Sequence, residues 1–163
     1  MTYGGFLSAA LLVGGLAAVA SPTSARAADK ARLSDLADIS FGLITSVGDQ
    51  SVSQSVCAFS SSNTGGYSVT AIGSGASGSF ELSGGPAPLP YDVLWASAAN
   101  QASGTALVAS APTPGFVSTA SQQTCNSGPS SSGSLTVVIR SSTLSSARAG
   151  NYAGTLELTI APE

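Results

Sequence analysis

The chain has 163 residues, no histidine, two cysteines and a formal net charge of −3, with charged residues only 8% of the total. That length suits one domain, and a mean composition rich in Ser, Gly, Thr and Ala leaves few helix formers. No Lys or Arg lies between Leu33 and Val138, so the chain lacks the cations that a phosphate backbone or an anionic membrane surface requires, which excludes nucleic acid as a partner.

Residues 6–20 form an apolar run too short to span a bilayer comfortably, and Ser21-Pro22-Thr23-Ser24 breaks it. Ala25-Arg26-Ala27 then supplies the small-x-small pattern of a signal-peptidase site. Residues 1–27 therefore read as a secretory signal peptide, although residues 1–5 carry none of the usual Lys or Arg. Ala18-Val19-Ala20 offers a second cleavage pattern, and a short membrane anchor is the alternative reading. Removal of residues 1–27 leaves about 136 of the 163, with no direct membrane insertion after cleavage. Export would place Cys57 and Cys125 in an oxidising compartment. A bridge between them would close a loop of about 69 residues and contribute roughly 4 kcal/mol. Two unpaired buried thiols are the other possibility.

Residues 28–37 make a short N-terminal extension with no clear period, and the folded domain is expected over 38–163. Residues 38–44 alternate at Ile39, Phe41 and Leu43, which predicts the first strand. Residues 52–59 give the next, and Asn63-Thr64-Gly65-Gly66 predicts a hairpin turn into residues 67–72. A short strand at 79–82 ends at Gly84-Gly85-Pro86. Residues 91–96 then place Tyr91, Val93 and Trp95 on one face. Weaker strand signals at 105–108 and 116–117 precede a Ser- and Gly-rich loop that contains Cys125. Residues 134–140 alternate at Leu135, Val137 and Ile139, and 143–149 could hold one helical turn.

In the closing strand, residues 152–160, Tyr152, Leu156, Leu158 and Ile160 share one parity, while Asn151, Thr155, Glu157 and Thr159 take the other. One face is buried and one is wet. No later element of this chain is expected to pair with its free edge, which is an aggregation hazard unless another strand covers it. Seven or eight short strands at about ten-residue spacing predict an all-β antiparallel sandwich.

Candidate chemistry is sparse. Without histidine, Ser-His-Asp and Cys-His catalysis are excluded, and two cysteines alone do not make a zinc site. Asp38, Asp49, Glu81, Asp92 and Glu157 are scattered and read as solvated strand and turn residues. Gly73-Ser74-Gly75-Ala76-Ser77-Gly78 matches G-x-G-x-x-G, but Ser79-Phe80-Glu81-Leu82 runs into Gly84-Gly85-Pro86 and cannot open the helix a dinucleotide site needs. Tyr91 and Trp95 could stack on a sugar, yet their shared parity favours a place in the core. No catalytic, cofactor-binding or metal residue is assigned. The chain does not read as an enzyme.

Several pieces stand in a recognisable order: Phe41-Gly42, Cys57 with Phe59, Tyr67-Ser68-Val69-Thr70, Leu89-Pro90-Tyr91 leading to Trp95, Cys125, and Ala149-Gly150-Asn151-Tyr152-Ala153-Gly154-Thr155-Leu156. Together, over about residues 36–163, they resemble the spore coat protein U-like family, which includes pilins of the archaic chaperone–usher systems. The resemblance implies an incomplete immunoglobulin-like β-sandwich of about seven strands, lacking its last strand. It further implies a structural or adhesive subunit of a surface pilus, carried through the periplasm to the cell surface. Its partners would be a periplasmic chaperone, an outer-membrane usher and other pilus subunits, each engaged by donor-strand complementation. Carried onto this chain, Ile39, Phe41, Tyr152, Leu156, Leu158 and Ile160 would line the groove that receives the donor. Cys57 and Cys125 match the family's disulfide positions more loosely. Residues 28–37 make a poor donor, because Leu33 and Leu36 are of opposite parity and Lys30, Arg32 and Asp35 intervene. The alternative is a self-contained secreted module that binds carbohydrate or a surface.

Overall fold

A computed structural model describes residues 28–126 and 128–163; the signal-peptide reading of residues 1–27 lies outside the described residues. Strand β2 (Gln50–Ser60) is the hub of the larger sheet. On one side β1 (Ala31–Ser34) pairs antiparallel with it, from Ala31 opposite Ser60 to Ser34 opposite Cys57. On the other side β9 (Gly133–Ile139) pairs along Gln50 to Val56. Beyond that register, the Ser132 hydroxyl both accepts from the Ala58 N–H at 3.0 Å and donates to the Ala58 carbonyl at 2.8 Å. The upper end of β2 is therefore saturated on both edges.

That saturation overturns the expected hairpin. The turn at residues 62–65 does close, with Gly65 N–H donating to Ser62 O at 2.9 Å. However, β3 (Gly66–Gly73) finds no free edge on the adjoining end of β2 and passes into a second sheet. The Ser60 and Ser62 hydroxyls donate to Gly66 O at 2.7 and 3.0 Å, which holds the corner where the chain changes layer.

The five-stranded sheet continues from β9 to β6 (Asp92–Ala96) and β7 (Thr105–Ala106), in the order β1-β2-β9-β6-β7. The second sheet has β3 at its centre, flanked by β8 (Pro112–Val117) and β10 (Leu156–Pro162). A small ladder joins β4 (Glu81–Leu82) to β5 (Leu89–Pro90), and α1 (Ser141–Ser146) supplies the single helical turn expected near residue 143. The G-x-G-x-x-G stretch forms a 3-10 turn at Ala76–Gly78, and no helix opens after it. The fold is an all-β sandwich.

Two strand expectations need correction. Residues 38–44 form no strand, and the first strand is instead β1, within the extension that showed no period. β1 is held by main-chain pairing to β2, which a side-chain pattern does not report. The alternation at 38–44 also breaks at Gly42, whose φ is +61°, a left-handed conformation that suits glycine. After it Ile44 turns inward and Leu43, 89% exposed, turns out. β8 was recognised only at residues 116–117, because Pro112 and Pro114 disguise an edge strand.

The core lies between the sheets. Val56, Val93, Trp95, Leu135, Val137 and Ile139 of the larger sheet meet Tyr67, Val69, Ala71 and Phe116 of the smaller. Trp95 Nε1–H donates to the Tyr67 hydroxyl at 3.1 Å, and the two rings meet edge to face with centroids 6.4 Å apart. Phe116 packs on both. Trp95 is fully buried and Tyr91 nearly so, so both are core residues, not a sugar platform. Burial also pushes the Tyr67 phenol above its usual value, so its neutral form is the one folding favours. On β9 the parity opposite Leu135 and Val137 is buried as well. There Ser134 donates to Ala98 O at 2.8 Å, under a loop that crosses that face.

Cys57 and Cys125 form a disulfide with their Cα atoms 5.9 Å apart, and both are buried. It ties the long loop between β8 and β9 onto β2. Alkylation of oxidised, unreduced protein should label no cysteine by mass spectrometry. Cys57→Ser should lower the unfolding free energy by about 2–5 kcal/mol. Tyr67→Phe should cost about 1–3 kcal/mol, because it leaves the buried Trp95 N–H without an acceptor. Urea titration followed by the fluorescence of the single tryptophan checks both.

Candidate functional site

Strand β10 pairs with β3 from Leu156 opposite Gly73 to Pro162 opposite Tyr67. Among the described residues its other edge has no strand partner. Leu156, Leu158 and Ile160 are half-buried against the core, while Glu157 and Thr159 are exposed, as the alternation requires. β1 also lies close to β10. At the start of β10, beside Leu156, lies an open cavity of about 750 Å³.

One wall of this cavity is Tyr152 to Leu156 and the other is the segment 39–47. Leu82, Leu89, Tyr91, Val137, Ile139 and Leu144 form an apolar floor. Four of the predicted residues, Ile39, Phe41, Tyr152 and Leu156, meet at this cavity. Leu158 and Ile160 do not line it; they continue the same face of β10 toward β1. Ile44 and the floor residues were missed as lining. Tyr91 was visible only as a core residue by parity, and Leu144 belongs to a helical turn whose orientation no local pattern gives.

The segment 39–47 behaves as a strap. At one end, Ala37 N–H donates to Gln54 Oε1 at 2.9 Å, and Gln54 Nε2 donates back to Ala37 O at 3.1 Å. At the other, Asp49 accepts from Ser141 N–H at 2.7 Å and from Arg140 at 3.2 Å. Between the anchors the main chain makes no backbone–backbone hydrogen bond among the described residues; Gly42 N–H donates to the Ser40 hydroxyl at 3.3 Å. Among the described residues the strap wall thus carries unpaired main chain, whereas on the other wall Ala153 exchanges both main-chain hydrogen bonds with Ser83 and Thr155 N–H donates to the Ser74 hydroxyl, so that open main chain on that side begins with the outer edge of β10. Leu43 and Val47, 89% and 68% exposed, add apolar surface along the rim.

Tyr152 is held by close packing. Its hydroxyl donates to Arg148 O at 2.9 Å, and its ring lies so near Gly85 that a Cβ there would approach it to 2.3 Å. Any side chain at residue 85 would push the ring into the cavity.

Two of the scattered carboxylates are brought together, which the sequence did not reveal. Arg140 donates to Asp92 at 2.6 Å and to Asp49 at 3.2 Å, and all three side chains are about half exposed. Their arrangement anchors the strap to β9 and β6. The Ser141 N–H, followed by the Arg140 guanidinium, holds the Asp49 carboxyl below its ordinary value of 3.8. A chain built this way can offer main-chain donors, main-chain acceptors and apolar pockets to an extended segment.

Comparison of the chain with protein-family models, curated proteins and solved structures found no match.

Because Asp49 is depressed in the folded state, its contacts stabilise above the ordinary carboxylate range and lose effect as pH falls through the lowered value. Asp49→Asn should therefore flatten the loss of stability below about pH 4, with little added effect of acid on the variant. Unfolding midpoints measured across pH 2–6 test the sign.

Proposed function

We propose that this chain is an exported structural or adhesive subunit of a chaperone–usher type surface pilus, completed by a strand from another protein. The observation that carries this reading is an open cavity with an apolar floor, walled on one side by the unpaired main chain of residues 39–47 and leading on the other to β10, whose outer edge has no strand partner among the described residues. A strand laid along the strap and the outer edge of β10 would pair with their open main chain and place alternate side chains in the trough, which is strand addition to an open sheet. The order of residues resembling the spore coat protein U-like family supports the same role. In that frame the sandwich is immunoglobulin-like and lacks one strand. A periplasmic chaperone would fill the gap first and a neighbouring subunit later, on the way from the periplasm to the surface.

The test contrasts the two faces of β10. The mature domain expressed alone in a periplasm should aggregate or be degraded. A cognate chaperone, or a fused donor peptide with alternating apolar residues, should restore soluble protein. Leu158→Asp should weaken that rescue by placing a charge on the buried face, and Glu157→Lys, on the exposed face, should change little. A soluble monomer with one cooperative melt, in which the donor peptide changes nothing and both variants behave alike, would instead favour the self-contained binding module.

A further inference from the structure

The groove is neutral along its length except at one point. Of the residues that line it, Arg148 alone is charged, and no Asp or Glu lines it. Arg148 also borders a second cavity of about 430 Å³, beneath Pro86 to Pro90, so it stands where the groove meets its neighbour. Its carbonyl is fixed by the Tyr152 hydroxyl at 2.9 Å. Its guanidinium, in contrast, has no carboxylate within ion-pair distance among the described residues, whereas Arg140 has two. Of the five basic residues in the chain, Arg148 is the one that lines the apolar trough.

We infer that the strand filling this groove carries a carboxylate, an Asp or Glu side chain, at the end that lies beside Arg148. This rests on the strand-accepting reading above and deepens it. An occupant strips water from Arg148 as it seats. A neutral occupant leaves the guanidinium partly desolvated without a partner, and a basic one adds repulsion. A carboxylate at that end offsets the desolvation with a charge-assisted hydrogen bond. The floor selects for alternating apolar residues and Arg148 selects the sign of the terminal one. The apolar contacts hold the strand, and the single charge distinguishes which end, and which donor, belongs there.

The probe is a set of synthetic peptides about eleven residues long, alternating Val and Thr, with capped termini and Glu, Gln or Lys at the first or last position. These compete, at low ionic strength, with a labelled Val/Thr reference peptide present while the oxidised chain refolds. One of the two Glu placements should bind about threefold more tightly than its Gln counterpart, and the Lys peptide more weakly than either. Salt near 0.5 M should remove the difference. Arg148→Gln should abolish the preference and Arg148→Glu should transfer it to the Lys peptide. Arg32→Gln, on the exposed parity of β1, should leave it intact. If the Glu, Gln and Lys peptides bind the unaltered domain equally, the acidic-end inference is overturned while the strand-accepting groove stands. If none of them binds, both are overturned.

Discussion

Everything downstream depends on the upper end of β2 having no edge to spare. β1 occupies one side of its upper end, and β9 with the Ser132 hydroxyl occupies the other. Main-chain donors and acceptors must be paired when buried, so β3 cannot fold back on β2 and has to start a second sheet. Once β3 lies in the opposite layer it recruits β8 and β10 as its neighbours. The two layers then close on the Trp95–Tyr67–Phe116 cluster, where one hydrogen bond and three ring contacts link strands from both sheets.

The same topology creates the groove. β10 sits at the edge of the smaller sheet, and the chain that could have paired with it, residues 39–47, is anchored at its ends and free in the middle. Gln54 fixes one anchor, and the Asp49–Arg140–Asp92 cluster fixes the other. Natural proteins blunt exposed edges with charges, bulges or a covering segment. Here the exposed edge instead faces an apolar floor, with Leu43 and Val47 left bare on the rim. Such an arrangement is costly in water and becomes favourable when an extended segment covers it.

Stability and access are handled by different parts of the molecule. The disulfide and the Ser132 and Ser118 hydroxyls secure the loop between β8 and β9 against β2, through contacts to Cys57 and Ala58. The groove carries few such restraints, and its wall segment is held by polar contacts that are exposed to solvent.

The sequence by itself determined the class of fold, the pairing of the cysteines as one of two options, and the faces of β6 and β10. A period of two reports which side of a strand is buried, and Tyr91, Val93, Trp95, Leu156, Leu158 and Ile160 carry that signal without ambiguity. Resemblance to a family also named four residues that meet at the groove, Ile39, Phe41, Tyr152 and Leu156. What the sequence could not supply was pairing. β1 hides in Ala31–Ser34 because its partner is main chain, the hairpin at residues 62–65 failed because another strand had already taken the edge, and Gly42 reversed the parity of Leu43 and Ile44. The meeting of Asp49 and Asp92 at Arg140, and the isolation of Arg148, are likewise long-range facts. Side-chain alternation is local and survives in the sequence; strand order and charge neighbourhoods depend on which edges remain free, and only the tertiary structure decides that.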